Sequence, residues 1–581
     1  MPVIRQLKTD EFGHACRAQQ PGPAPASRCR RITGVRPPAA FAVLLMLACP
    51  AAAPAQPASL ASLEQQYADF NDAQGAVSLI DSDPRRWPAY AGRTRAQWQQ
   101  QYEQGRARLL AGLRAVTASS AEDRRALEVM RAALADSTES PQSLAPNAHC
   151  ADAARTGQPL RELQRALYAC FSELGNHLQF EGETLTRVAA FEHLARIPEA
   201  QRRRALFMAF VPLWQAVNAA NEAASPYRRM ISRAALEARA HGSAVDAAAR
   251  TIGAPVSELE EWLQRVLQRW SAVNEGAPVE PWDYRYEAGA AERQLAPAIP
   301  RGALESVSAR YYRDLGLDLA AAQVLFDLDP RADKAPLAYT DYVRRGRVRA
   351  GGAWQPTLVR VSASYGEGGL GALEELVHED GHAAHMLALR TRPAFMDLGD
   401  AVFYEAFADV PAWSVYEPRW QQRYLGHSAP EDASLRAHYA AVMLDVAWAL
   451  FDCRMLRQRD PDPNRIWTEI TQRYLHIRPH PELAWWAMRV QLVDAPGYMV
   501  NYGLGAIITA DIRQRIAQQI GSFDAGNARW FGWLQQQLLG SGERYPTSEL
   551  LRAFLGRAVS PQALLEQLER VHPPGGGVGT R

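Results

Sequence analysis

The sequence predicts a mainly α-helical protein with one small β-hairpin, and three observations carry that expectation. From Leu60 to about Trp270, Ala, Leu, Arg, Glu and Gln dominate, while Gly and Pro fall mostly between segments. Within that stretch, the runs starting at Arg202 and Glu258 space their apolar residues by three and four, the stripe of an amphipathic helix. The third observation is the exception. Arg347 to Trp354 and Thr357 to Ser364 alternate or are β-branched and are separated by a short Pro-containing turn, so they predict two paired strands.

Taken in order, the chain begins with a segment that reads as an export signal. Arg28, Arg30, Arg31 and Arg36 precede an apolar run from Ala39 to Cys49, and Ala53-Pro54-Ala55 fits an A-x-A cleavage rule. Residues 1–55 are therefore assigned to an extension and a signal peptide, and the protein to the periplasm or the exterior. A lipid attached at Cys49 is the alternative. Beyond Ala55 the cysteines are Cys150, Cys170 and Cys453; an oxidising compartment would let the first two pair, and three free buried thiols is the competing reading. Ala277 to Trp282 and Leu295 to Arg301 mark loops before the second half, and residues 573–581 form a Gly- and Pro-rich tail expected to be disordered. Residues 56–572 are expected to form one catalytic unit.

Composition excludes several function classes. The 64 basic and 63 acidic residues give a net charge of +1, which offers neither a nucleic-acid surface nor a polybasic membrane anchor. With 47% hydrophobic residues, the chain has the material for a fully folded core. No stable membrane insertion is expected once a signal is removed, and the oligomeric state is open.

The chemistry concentrates in His378-Glu379-Asp380-Gly381-His382. On a helix, positions i and i+4 share a face, so both imidazoles can reach one zinc ion while Glu379 stands beside the ion's water as general base. A solvated helix face with two unrelated His is the bland alternative. A catalytic zinc takes three protein ligands and keeps one position open, and Glu405, on a second expected helix after a loop near Thr391 to Gly399, is the best third ligand. Asp409 follows one turn later and is placed to orient a ligand imidazole through its free N–H. His385, a turn beyond His382, is assigned to packing or to support of the site. Two features complicate the pattern: Asp380 puts a negative charge near the base, and Pro411 should kink the second helix and disturb the aim of Asp409.

These residues carry a resemblance. Phe403-Tyr-Glu-Ala-Phe-Ala-Asp-Val410 is similar to the third-ligand helix of the angiotensin-converting-enzyme family, and His378 to His385 is closer to the thimet oligopeptidase and oligopeptidase F family. Ala350-Gly-Gly-Ala-Trp354 resembles the substrate-binding strand that both families place before the motif, which makes Gly352 and Ala353 substrate contacts. Trp485 to Tyr502 is similar to the segment in which those families place an oxyanion-stabilising Tyr, here Tyr502 or Tyr498. Arg489 resembles in position a residue that anchors a substrate's C-terminal carboxylate, whereas Gln491 stands where the converting-enzyme family has a second substrate-contacting His.

The resemblance implies a two-lobed helical metallopeptidase with a deep central cleft, one zinc per chain and short unfolded peptides as substrates. Release of C-terminal dipeptides is the expected activity, and internal cleavage of oligopeptides is the alternative. An inactive zinc- or peptide-binding protein on the same fold is the reading from another class, and a helical scaffold in which the motif is coincidental is a further one.

Overall fold

The structure, a computed structural model, describes residues 59–136 and 148–571 apart from 275, 332–333, 335–337 and 350. The signal peptide, the Cys49 reading, Ala350 of the resembling strand and the tail at 573–581 lie outside the described residues.

Among the described residues the chain is mainly α-helical with three small sheets. The first two helices start where the sequence supplies caps: Ser59 accepts from the Ser62 N–H before α1 (Leu60–Ser82), and Thr94 and Gln97 close a capping box at α2 (Arg95–Ala115). The helices that frame the site come later. They are α3 (Arg187–Arg196), α4 (Ala290–Leu295), α5 (Leu304–Asp314), the motif helix α6 (Leu370–Ala388), α7 (Ala401–Ala412), α8 (Glu431–Arg457) and α9 (Val500–Ile520). One large buried cluster runs from Ala153 to Val571 and includes apolar residues of all seven. Residues of α1, α2 and the helix after them form two smaller clusters. No helix among the described residues is long and apolar enough to cross a membrane. Cys150 and Cys170 are joined as a disulfide, and Cys453 is buried and free.

The strands correct the expected hairpin. After a small hairpin of β1 (Leu178–Phe180) and β2 (Glu183–Leu185), a three-stranded sheet is ordered β3 (Leu325–Asp327), β7 (Leu358–Ser362), β4 (Tyr339–Arg344). The run from Arg347 to Trp354 does not pair with Leu358–Ser362. It folds back on itself, β5 (Arg347–Val348) against β6 (Trp354–Gln355), because Gly351 and Gly352 take φ of 102° and 84° and make the turn. Released from that pairing, β7 becomes a central strand with Val359 to Ser362 all buried. The edge strand β4 lies against the motif helix, where the Thr340 hydroxyl meets Glu379.

Candidate metal centre

His378 and His382 lie one turn apart on α6 with their rings 4.8 Å apart and nearly perpendicular. Gly381, between them, sets the crossing with α7. A Cβ there would lie 2.8 Å from the Ala408 carbonyl oxygen and 2.9 Å from its Cα, so only glycine lets the two helices meet this closely. That crossing brings Glu405 over both imidazoles: its Oε2 is 3.4 Å from His378 Nε2 and 3.6 Å from His382 Nε2. Ligand atoms about 2.0–2.1 Å from a tetrahedral zinc are separated by about 3.3 Å, so these spacings fit two edges of such a site.

A carboxylate oxygen of Glu379 also lies within 4.8 Å of the imidazole nitrogens. That bound sets no ligand spacing for Glu379, whereas the Glu405 oxygen has it to both imidazoles. Glu379 is 5% exposed and is held from the sheet. Thr340 Oγ1 lies 2.7 Å from Glu379 Oε2 and 2.9 Å from its backbone carbonyl oxygen, leaving the other carboxylate oxygen outside this contact. The sequence reading missed Thr340. The signal available was the β-branched and aromatic run Tyr339 to Val343, which lies ahead of the segment taken as the first strand.

Around this group the sequence-predicted residues divide. Asp409 Oδ1 lies 2.8 Å from His378 Nδ1, which directs the Nε2 lone pair to the shared point. Burial alone would lower the His378 pKa, but hydrogen bonds to Asp409 and Glu405 outweigh it and hold the imidazole well above its ordinary value. The same two carboxylates favour any cation placed there. Pro411 does not disturb this aim, because α7 ends one residue later at Ala412 and passes into a short 3₁₀ turn. The expectation of a kink is corrected: the proline lies at the helix end, beyond the ligand turn.

The expected charge at Asp380 is corrected as well. One residue on from Glu379 means a rotation of about 100° around the helix, and Asp380 faces α5, where Ser308 Oγ lies 2.5 Å from its Oδ2. Complete burial pushes its carboxyl well above the carboxylate range, against the Ser308 bond. His385 is a packing residue: it is 1% exposed, stands edge-on to Phe403 and Phe407 at 5.5 and 5.1 Å, and burial pushes its pKa down to about 3.

Tyr498 and Tyr502 are together, rings 5.8 Å apart. Burial raises the Tyr502 hydroxyl above its ordinary value, Arg489 opposes this, and Glu405, Asp445 and Asp409 add to it, so this hydroxyl lies in the field of the metal group. Arg489 stacks over Tyr502 at 5.3 Å and over Trp448 at 4.9 Å, but it donates to Asp445 on α8, a partner the sequence did not reveal. Arg285, also missed, adjoins the same pair; burial and Arg489 lower its pKa to about 10. Gln491 opens a short helix, and its Oε1 is buried without a hydrogen-bond partner.

Gly352 and Ala353 belong to the tip of the β5–β6 hairpin, with nothing within 4 Å of a Cβ built at Gly352. Arg390, just past the end of α6, stacks on Trp354 at 4.9 Å. That contact is about 12 Å along the helix beyond His382. The strand in contact with Glu379 is β4, not this hairpin.

No family model matches the chain, and no curated protein matches it. Among solved structures, an M32 carboxypeptidase from Deinococcus radiodurans R1 is similar over 88% of this chain and 97% of that one, at 15% identity and a TM-score of 0.49. The reading of the site therefore rests on its own atoms.

Proposed function

We propose that the protein is a zinc-dependent peptidase acting on short, unfolded peptides. The observation that carries this reading is the Glu405 oxygen set at tetrahedral spacing from two imidazole nitrogens, with a second carboxylate, Glu379, beside them. His378, His382 and Glu405 would hold a zinc ion, which when bound would supply Lewis acidity toward a substrate carbonyl and a water. Glu379 takes that water's proton and later gives it to the leaving amine, while Thr340 fixes its orientation. Tyr502, with Tyr498 beside it, donates to the developing oxyanion. Asp409 keeps the His378 tautomer fixed.

Two product patterns follow from Arg489. As an anchor for a C-terminal carboxylate it supports dipeptide release. Its existing pairing with Asp445 favours internal cleavage, because part of the guanidinium is already committed. Incubating the zinc-loaded protein with a mixed peptide set, amidated or free at the C-terminus, and weighing the products separates them: loss of cleavage on amidation identifies dipeptide release, and unchanged cleavage identifies the endopeptidase. The disulfide and the signal-like N-terminus support work in an oxidising, extracytoplasmic compartment.

A further inference from the structure

One helical turn before the metal group, α6 carries Glu374 and Glu375, at i−4 from His378 and from Glu379 respectively, so they continue the same face toward the helix N-terminus. Other elements bring more negative charge to this turn. Glu292 of α4 stands with Oε1 3.7 Å from the Cβ position of Gly371, and Glu192 of α3 and Glu367 of the glycine loop belong to the same electrostatic group. The guanidinium that meets them is Arg196, which pairs with Glu367 and, at 3.8 Å, with Glu292. Arg196 is thus committed to Glu367, Glu292 and Glu192, and the groups that lower Glu374 and Glu375 are His378 and Tyr365.

A second feature points into the same space. Tyr365 is 6% exposed, and its hydroxyl has no well-formed hydrogen bond. Its electrostatic neighbours are Glu375, Glu379 and Asp380, and it is close enough to Glu375 to lower that carboxyl. Glu375 keeps surface open to solvent although protein surrounds it. Burial and repulsion from Asp409 push Glu374 up to about 8, with His378 opposing. Burial and repulsion from Glu379 push Glu375 up to about 7, with Tyr365 and His378 opposing. The turn is short of positive charge beside the reacting centre.

We propose that this turn is a cation subsite, which seats a guanidinium or ammonium of the substrate against Glu375, Glu374 and Glu292 and makes the protein selective for basic peptides. The inference rests on the peptidase reading for its substrate, and the binding arm of its test stands apart from that reading. The ammonium can come from a Lys or Arg side chain or from a free peptide N-terminus, and acetylating the N-terminus distinguishes them.

The test compares a peptide containing Lys with its norleucine isostere, each with and without N-acetylation, on the zinc-loaded protein. A charge-assisted contact predicts a preference for the cationic peptide of about tenfold in kcat/KM. Glu375→Gln and, separately, Glu292→Gln should reduce that ratio severalfold, mainly through KM, while cleavage of the neutral peptide holds. Glu292→Gln, away from α6, keeps the test decisive if the helix variant folds poorly. The same ratio is then read as binding, by calorimetry on the zinc-loaded Glu379→Gln protein, so failure of cleavage does not hide the subsite. A ratio near one in both assays, or a ratio untouched by both carboxylate variants, overturns the proposal.

Discussion

Two successive turns of one helix treat charge in opposite ways. In the turn from His378 to His382, each acidic group meets a partner of complementary chemistry: Asp409 and Glu405 face imidazole nitrogens, and Glu379 accepts from Thr340. In the turn before it, Glu374 and Glu375 face other carboxylates, while the nearby Arg196 is committed to Glu292 and Glu367. The first turn is prearranged around a point where a divalent cation fits. The second leaves negative charge that a cation from outside would relieve. The lesson is that helical periodicity places chemistry on a face, while neighbouring elements decide whether that chemistry is complete or waits for a ligand.

Removing a partner from the complete turn should have the larger effect. Thr340→Val keeps the side-chain shape but removes the hydroxyl that orients Glu379. The kcat for a neutral peptide should fall roughly ten- to hundredfold with KM nearly unchanged, and Thr340→Ser should recover most of it. Equal losses in kcat and thermal stability, without rescue by serine, would mark Thr340 as merely structural.

Neutralising the incomplete turn should have a smaller effect of the opposite kind. The folded-state pKa of Glu374 is raised from 4.5 to about 8, so the folded protein binds a proton there more tightly than the unfolded chain does. That stability is fully present below about pH 4.5 and is lost as pH rises toward about 8. In zinc-free protein, Glu374→Gln should therefore flatten the decline in melting temperature between pH 5 and 8. An unchanged slope would show that the charge at Glu374 is already compensated.

What could be read from the sequence follows the reach of the interactions. The helical class, the His378–His382 spacing and the candidacy of Glu405 came from local periodicity and a short intervening loop. Thr340 and Glu379 are 39 residues apart and Arg489 and Asp445 44 apart, so their contacts depend on packing that no local pattern encodes. The strand pairing was misread for a local reason. The resemblance implies a substrate contact at Gly352, whereas the positive φ of Gly351 and Gly352 makes them the turn. Asp380 shows the remaining gap: a helix position one residue from the base was read as near it in charge, although rotation around the helix buries it against Ser308.

The assignment of His378, His382 and Glu405 as zinc ligands with Glu379 as the base is tested most directly by measuring zinc content and peptide turnover together in the wild type and in Glu379→Gln. One equivalent of zinc in both proteins, with turnover lowered by a factor of ~10² to 10⁴ in the variant, is the predicted result. Full turnover in Glu379→Gln, or a wild-type protein that cleaves peptides after complete zinc removal, would contradict it.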